Sequence, residues 1–332
     1  MTAERMISYA QNAEDVVLRR AFASSATGFY IDVGASHPVW DSVTKHFYDS
    51  GWSGINIEPL PNRFSELERE RPRDINLNVG LSNDSGRLVL HEVIGLSALS
   101  TFDPGLAQMH RDEGYEIQTL TVPTTTLLTV CQEHGVEDVD FLKIDAEGFE
   151  REVLQGTDFE GFRPRVVLAE RGNAPEKWLP LLTTAGYVQT LFDGINLWFV
   201  REEDEERLGP FLTTPATIAL DRYDPYLYVH QLKHAGAEIE GRDAELARLR
   251  TTVEALGAEL VGLRAKIKEL RDEVERQQHA AVAARAAETM IRNSTSWRVT
   301  GPLRWFSEQH HRERRVDSND SIEKDGSGTN RP

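Results

Sequence analysis

The sequence predicts a doubly wound α/β fold with a mostly parallel sheet, followed by an α-helical coiled coil. Three apolar runs end abruptly on acidic residues, at Asp32, Glu58 and Asp145. A buried parallel strand has a near-continuous apolar sequence, and ligands of open α/β sheets bind beyond the carboxyl ends of such strands. The three acids therefore indicate a ligand crevice at one edge of the sheet.

Strand-like runs alternate with polar or helix-periodic stretches over the first two thirds of the chain. The early intervals are long enough for crossover helices and the later ones are shorter, which predicts antiparallel strands late in the domain. The runs cover 29–33, 54–58, 75–79, 86–92, 119–122, 139–144, 165–170 and 196–200. We expect this domain to span 1–207 and an irregular bridge to follow over 208–234.

Two acids, Asp145 and Glu147, directly follow the apolar run 141–144. A structural turn from strand to helix would favour Asn, Ser or Gly and needs no such pair of acids. Acids at strand ends also cap helices and pair with helix dipoles, which is the alternative interpretation. The pattern makes both residues candidates for catalytic carboxylates.

The glycine pattern distinguishes between two possible cofactors, NAD and S-adenosylmethionine. The spacing from Asp32 to Glu58 matches one β-α-β unit, which places Glu58 where a carboxylate accepts the hydroxyls of a ribose. A dinucleotide site needs Gly-x-Gly-x-x-Gly to hold a pyrophosphate, whereas here Gly34 stands without the other two glycines. S-adenosylmethionine has no phosphate and is cationic at sulfur, so carboxylates and one close backbone approach suit it. An NAD-dependent oxidoreductase is the weaker alternative.

Six motifs, in order, resemble the FkbM-type S-adenosylmethionine-dependent methyltransferases. They are SYAQNAED at 8–15, IDVGA at 31–35, SVTKHFY at 42–48, GWSGINIEP at 51–59, DFLKIDAEGFE at 140–150 and LFDGIN at 191–196. The resemblance covers about the first two thirds of the chain. It implies a class I, Rossmann-like methyltransferase fold with S-adenosylmethionine as cofactor. Ala146 replaces a frequent Val, and Leu197-Trp198 replaces a more usual Arg-Phe, but no carboxylate is lost.

The resemblance also implies roles for individual residues. Methylation of a sugar hydroxyl requires a base for its proton. We expect Asp145, Glu147 and His37 to be catalytic, with Glu170 as a further candidate, and we expect no metal site. His37 has the alternative role of a polar loop residue. The residues expected to bind the cofactor are Gln11, Asp32, Gly34, Ser36 and Glu58.

Composition excludes several classes of protein. A net charge of −17 argues against nucleic-acid binding, which requires clustered Lys and Arg. The single cysteine, Cys131, excludes an intramolecular disulfide framework and fits a reducing cytoplasm. No apolar run approaches twenty residues, and no basic-then-apolar segment opens the chain. We expect a cytoplasmic protein without a cleaved signal, with peripheral contact at the inner membrane face as a further option.

Residues 235–290 carry a heptad pattern. Charges flanking it allow Glu245 to meet Arg250 of a parallel partner, whereas Lys266 would face Arg271 unfavourably. The seam has Leu246, Val253, Leu260, Ile267 and Val274 at a, and Leu249, Leu256, Leu263 and Leu270 at d. β-Branched residues at a with leucine at d favour a parallel dimer. The alternative is one amphipathic helix packed on the globular domain.

The C-terminal residues differ again in composition. Residues 291–306 contain Trp297, Trp305 and Phe306 among arginines, which is typical of an amphipathic interfacial segment. Such a segment could contact a membrane or a glycosyltransferase complex, or close the coil as a hydrophobic clasp. Residues 307–332 are polar and predicted to be disordered. The segment 291–306 also resembles those that follow coiled coils in bacterial polysaccharide-assembly glycosyltransferases and methyltransferases. Together with the FkbM resemblance, this implies an O-methyltransferase for a bacterial polysaccharide or glycolipid precursor, with a non-catalytic assembly protein as the alternative.

Overall fold

The structure is a computed structural model that describes residues 5–301 and residue 304. The chain divides into two compact units, Met1–Glu238 and Ile239–Pro332. The strands are β1 Met6–Ser8, β2 Phe29–Val33, β3 Ser53–Ile57, β4 Ile75–Leu77, β5 Gly80–Leu81, β6 Gly86–Val93, β7 Ile117–Thr125, β8 Phe141–Ile144, β9 Val166–Glu170, β10 Tyr187–Phe192, β11 Asn196–Arg201 and β12 Tyr223–Pro225. The helices are α1 Glu14–Ala21, α2 Lys45–Asp49, α3 Pro61–Glu70, α4 Pro104–Asp112, α5 Leu127–His134, α6 Glu150–Gln155, α7 Leu179–Thr184, α8 Glu205–Leu208, α9 Ile218–Asp221, α10 Tyr226–Asn293 and α11 Thr295–Val299.

The central sheet has seven strands in the order β10-β11-β9-β8-β2-β3-β4. Strands β9, β8, β2, β3 and β4 are parallel, whereas β10 and β11 pair antiparallel at one side. From β2 the chain first adds strands outward through β3 and β4, and later adds β8 and β9 on the other side. The order thus reverses between β2 and β8, the position where doubly wound sheets open a ligand crevice. This topology confirms the predicted fold class.

The central strands are buried on both faces. Ile31 and Leu142 pack in one apolar cluster, whereas their chain neighbours Tyr30 and Phe141 pack in a second cluster. Successive side chains of a strand point to opposite faces of the sheet, so each strand supplies both clusters. This two-sided burial explains why the sequence has continuous apolar runs rather than an alternating pattern.

A smaller sheet, in the order β5-β7-β6, stands beside the central one. Strands β6 and β7 form an antiparallel ladder, and a 3-10 turn at Ser97–Leu99 follows β6. Asp103 then caps α4, because its carboxylate accepts hydrogen bonds from the backbone N–H groups of Gly105 and Leu106. The segment from β6 to α4 lies next to the crevice at the end of the central sheet.

The predicted irregular bridge over 208–234 is shorter in the structure, because α10 already begins at Tyr226. Strand β12 pairs in parallel with β1 immediately before the helix. The ring centroid of Tyr226 lies 4.9 Å from those of both Tyr9 and Trp40. These contacts fix the first turn of the helix against the α/β domain, which the spacing of prolines in the sequence does not reveal.

In the second unit, α10 carries the heptad seam on an open surface. The nine seam residues from Leu246 to Val274 are each between 50% and 67% exposed. In α11, Trp297 lies under the guanidinium of Arg304, whose carbon is 3.5 Å from the ring centroid. Trp305, Phe306 and the predicted disordered tail 307–332 lie outside the described residues. Within 5–301 and at 304, no helix has the length and apolar character needed to cross a membrane.

Candidate functional site

A cavity of about 600 Å³ opens at the carboxyl ends of β2, β3, β8 and β9. It contains every residue that the sequence predicts for the cofactor or the chemistry. These residues are Gln11, Asp32, Gly34, Ser36, His37, Glu58, Asp145, Glu147 and the further candidate Glu170. The fold therefore brings together residues that are up to 159 positions apart in the sequence, from Gln11 to Glu170.

The loop after β2 requires glycine at position 34. Gly34 has φ of +73°, and an added Cβ would lie 1.9 Å from the carbonyl oxygen of Asp145. The backbone N–H groups of Gly34 and Ala35 both donate to the carbonyl oxygen of Ile57. The loop is thereby held against the ends of β3 and β8, where a side chain at this position would have no space.

Glu58 is buried at the end of β3 and shapes the same loop. Its two carboxylate oxygens accept hydrogen bonds from the backbone N–H groups of Ser36 and Leu60, each over 2.8 Å. Burial raises the pKa of Glu58 to about 7, although these hydrogen bonds oppose the shift. Each carboxylate oxygen retains a second lone pair, so the residue can also accept the two hydroxyls of a ribose.

Lys143 lies between two acids at the centre of the site. Its Nζ is 3.3 Å from Oδ1 of Asp32 and 3.3 Å from Oδ2 of Asp145, and it donates to the carbonyl oxygen of Gly34 over 2.8 Å. Burial lowers the pKa of Lys143, but the adjacent carboxylates of Asp145 and Asp32 outweigh burial and raise it. Thr44 donates to the other oxygen of Asp32 over 2.8 Å. These contacts hold Asp145 and the glycine loop in fixed positions.

Three carboxyl groups, from Asp145, Glu147 and Glu170, line the cavity beside Lys143. One oxygen from each lies within 4.8 Å of the others, so among the described residues this group could hold a cation. The pKa of Glu147 rises to about 9 through burial and the neighbouring acids, Asp145 first among them. The pKa of Glu170 rises to about 8 for the same two reasons. The sequence shows Asp145 and Glu147 as a pair and Glu170 as a further candidate at the end of another strand, and the pairing of β9 with β8 brings the three together.

Glu147 has strained backbone. Its φ of +48° lies in the left-handed region, which a non-glycine residue rarely occupies. The hydroxyl of the fully buried Thr101 donates to the carbonyl oxygen of Glu147 over 2.6 Å and holds this conformation. Strain of this kind concentrates at functional sites. The contact also links the segment after β6 to the acidic residues.

His37 has the geometry of a hydrogen-bond donor. Its Nδ1 accepts from the backbone N–H groups of Val39 and Trp40, each over 3.0 Å, so the proton of the neutral ring is on Nε2. Burial and the charge of Arg63 lower the pKa of His37 and keep the ring neutral. The nitrogen left for a ligand therefore carries a proton. This arrangement favours a binding role for His37 over the role of base that the sequence suggests.

Arg71 is a supporting residue that the sequence does not reveal. It is fully buried, and its Nη2 donates to the carbonyl oxygen of Pro38 over 2.6 Å and to the hydroxyl of Ser42 over 2.9 Å. It thus fixes the loop that carries His37. In the sequence it is one arginine among several charged residues after α3, so no local signal distinguishes it.

Two motifs from opposite ends of the domain meet beside the cavity. The side-chain amide of Asn196 donates to Glu14 over 2.9 Å, and the backbone N–H of Asn12 donates to the other oxygen of Glu14 over 2.8 Å. The indole N–H of Trp198 donates to Asp193 over 2.7 Å. The contacts of Glu14 hold the N-terminal segment against β11, and the contact of Trp198 fixes the turn between β10 and β11.

Comparison with known proteins identifies the family of the chain. A model of the methyltransferase FkbM domain matches residues 32–206, more than half of the chain. A TehB-like SAM-dependent methyltransferase from Corynebacterium glutamicum ATCC 13032 Kitasato is similar in structure over 56% of this chain and 87% of its own, at 10% identity and a TM-score of 0.32. No curated protein sequence matches the chain. The chain belongs to the FkbM methyltransferase family, with S-adenosylmethionine as its cofactor.

Proposed function

We propose that this S-adenosylmethionine-dependent methyltransferase methylates a sugar hydroxyl of a bacterial surface polysaccharide or glycolipid precursor. The observation that carries the proposal is the group of Asp145, Glu147 and Glu170, which lies in the same cavity as the Gly34 loop. A hydroxyl is a poor nucleophile until its proton is removed, and a carboxylate can accept that proton. Burial and the neighbouring acids raise the pKa of Glu147 to about 9 and that of Glu170 to about 8, so near neutral pH these two groups are mainly protonated and can donate hydrogen bonds to the acceptor.

Some residues of the site are proposed to bind the cofactor, and others to accept the proton of the acceptor hydroxyl. S-adenosylmethionine supplies an electrophilic methyl group when it is bound. Glu58 and Gly34 fit the nucleoside, because the first offers acceptor oxygens and the second allows close backbone approach. Asp145, oriented by Lys143, is the proposed acceptor of the hydroxyl proton at its carboxylate. Alignment of the two reactants within the cavity supplies much of the rate acceleration in this type of displacement.

The segment over residues 95–102 supports a polar acceptor. Ser97 and Ser100 line the cavity together with Leu99 and Phe102. Hydroxyl groups beside apolar surface suit a sugar, which presents hydroxyls at its edge and C–H groups on its faces. The same residues offer no large aromatic slot of the kind that a flat apolar acceptor would require.

We also propose that the chain forms a parallel homodimer through the seam from Leu246 to Val274. The seam is open in a single chain. In a parallel pairing Glu245 and Glu259 each reach an arginine of the partner, Arg250 and Arg264, whereas Lys266 opposes Arg271. The seam of a second copy would thus cover these apolar residues, and two of the three flanking charge pairs would be favourable.

The experiment for the enzymatic proposal uses labelled methyl donor. The purified protein is incubated with S-adenosylmethionine labelled in the methyl group and with envelope polysaccharide and lipid-linked oligosaccharide fractions. We expect label in O-methyl sugars after acid hydrolysis, and an at least hundredfold lower rate for Asp145→Asn. Label in protein or in no fraction, from a protein that binds the donor, would contradict the choice of acceptor.

A further inference from the structure

The side chains that line the cavity include more acidic than basic groups. Six acidic residues line it, Asp32, Asp41, Glu58, Asp145, Glu147 and Glu170, against two basic residues, Lys143 and Arg63. Lys143 is occupied by two carboxylates and by the carbonyl oxygen of Gly34. Arg63 forms one ion pair, with Glu66, and is therefore the cation of the described lining that keeps N–H groups free for a ligand.

Arg63 is held in place without being fully occupied. It lies in the first turn of α3, where its Nε donates to the hydroxyl of Ser97 over 3.0 Å and its Nη1 donates to Glu66 over 2.7 Å. In the part of the chain that the structure describes, Nη2 has no acceptor. The guanidinium is thus oriented on two sides, by α3 and by the 3-10 turn, while the N–H groups of Nη2 stay free to donate.

A second donor lies nearby. His37 presents its Nε2–H, because its Nδ1 is occupied by the backbone N–H groups of Val39 and Trp40. Arg63 and His37 both line this cavity, and besides burial the charge of Arg63 contributes to the lowered pKa of the His37 ring. One positive charge and two sets of N–H donors therefore share this part of the cavity, in a lining that is otherwise acidic.

We propose that Arg63 and His37, beside Ser97, form a subsite for an anionic group of the acceptor, a carboxylate or a phosphate. The inference rests on the proposed function of the site. A guanidinium matches the planar or tetrahedral oxygens of such groups with paired hydrogen bonds, and a neutral imidazole N–H adds a third. The substrate class is thereby narrowed to acidic sugars and sugar phosphates.

The test measures binding of simple sugars to the full chain, with and without S-adenosylhomocysteine. Glucose 1-phosphate, glucuronate and glucose are titrated by calorimetry. We expect at least one of the anionic sugars to bind tenfold or more tightly than glucose, and Arg63→Gln to abolish this preference. His37→Asn keeps an acceptor for the loop N–H groups but removes the Nε2 donor, and should reduce the preference. Arg69→Gln, on the exposed side of α3, is the matched control and should leave the preference intact.

The carboxylate of S-adenosylmethionine is an anion that Arg63 and His37 would also bind. A second set of titrations distinguishes this carboxylate from an anionic group of the acceptor. S-adenosylhomocysteine carries this carboxylate, whereas 5′-methylthioadenosine lacks it. We expect Arg63→Gln to change the affinity for either molecule by less than twofold. A tenfold loss of affinity for S-adenosylhomocysteine alone would assign the subsite to the donor and overturn the proposal.

Equal affinities of the wild-type protein for all three sugars would overturn the proposal as well. Failure to bind S-adenosylhomocysteine would reject the proposed function, while the sugar titrations without it still decide on the subsite.

Discussion

Lys143 Nζ donates a hydrogen bond to the carbonyl oxygen of Gly34 over 2.8 Å, across the gap between β8 and β2. The same ammonium group lies 3.3 Å from both Asp32 and Asp145. One side chain therefore connects the glycine loop to the proposed proton acceptor. The binding half and the chemical half of the site are coupled through this residue.

Replacement of Lys143 by Met should destabilise the fold. Asp32 would remain buried without its cation, and the loss of one partner of a buried ion pair costs about 3–5 kcal/mol of unfolding free energy. Chemical denaturation measures the change. The double variant Asp32→Asn, Lys143→Met should recover a large part of the loss, because no buried charge then stays unpaired. Wild-type stability of the single variant would contradict the role assigned to Lys143.

Glu58 should make stability depend on pH. Its pKa is raised to about 7 in the folded protein against an ordinary value of 4.5, so the protonated form is the one favoured by folding. Its contribution is fully present below pH 4.5 and is lost as pH rises through 7. Relative to Glu58→Gln, the ligand-free wild type should lose on the order of 3 kcal/mol between pH 4 and pH 8. Parallel pH profiles of the two proteins in denaturant titrations would contradict the raised pKa.

Glu147 should be replaceable by glycine without loss of stability. Glycine adopts positive φ at no steric cost, so Glu147→Gly should keep or raise the unfolding free energy, by up to about 1 kcal/mol. Glu147→Val, whose branched side chain resists this conformation, should lower it. Thermal denaturation compares the two variants. Both should lose methyl transfer if the carboxylate takes part in catalysis, and full activity of Glu147→Gly would limit Glu147 to a structural role.

The dimer should depend on the d positions of the seam. Replacing Leu256 and Leu263 with Lys places charges at the core of the pairing, so sedimentation equilibrium should report a monomer in place of a dimer. Donor binding should be unchanged. Val261→Lys is the matched control, because Val261 is 67% exposed and lies beside the seam rather than in it. A dimer that survives the double replacement would show that other residues mediate association.

The sequence predicts the central sheet because burial on both faces leaves an apolar run in its inner parallel strands, whereas the edge strand β4 is only half-buried. β2, β3, β8 and β9 lie within a residue or two of their predicted positions. β10 escapes prediction, because Tyr187–Phe192 mixes exposed and buried residues at the edge of the sheet. The start of α10 is not predicted either, because it depends on the tertiary packing of Tyr226 against Tyr9 and Trp40.

The site is predictable only in part, for a related physical reason. Asp32, Glu58 and Asp145 each interrupt an apolar run, so their positions are visible in the chain. Glu170 is visible too as an acid at a strand end, but its place beside Asp145 follows from the pairing of β9 with β8, and Arg63 joins the site through its hydrogen bond with Ser97. Such relationships between distant segments follow from strand order and loop packing, which local patterns do not encode.

The most direct test of the central claim is calorimetric titration of the full chain with S-adenosylmethionine and with NAD. We predict binding of S-adenosylmethionine alone. Glu58→Ala should weaken this binding by about 1.5–3 kcal/mol, the range for charge-assisted hydrogen bonds, while the variant remains folded. Binding of NAD in place of S-adenosylmethionine would contradict the account. Binding of neither would leave an assembly protein without methyltransferase activity as the better description.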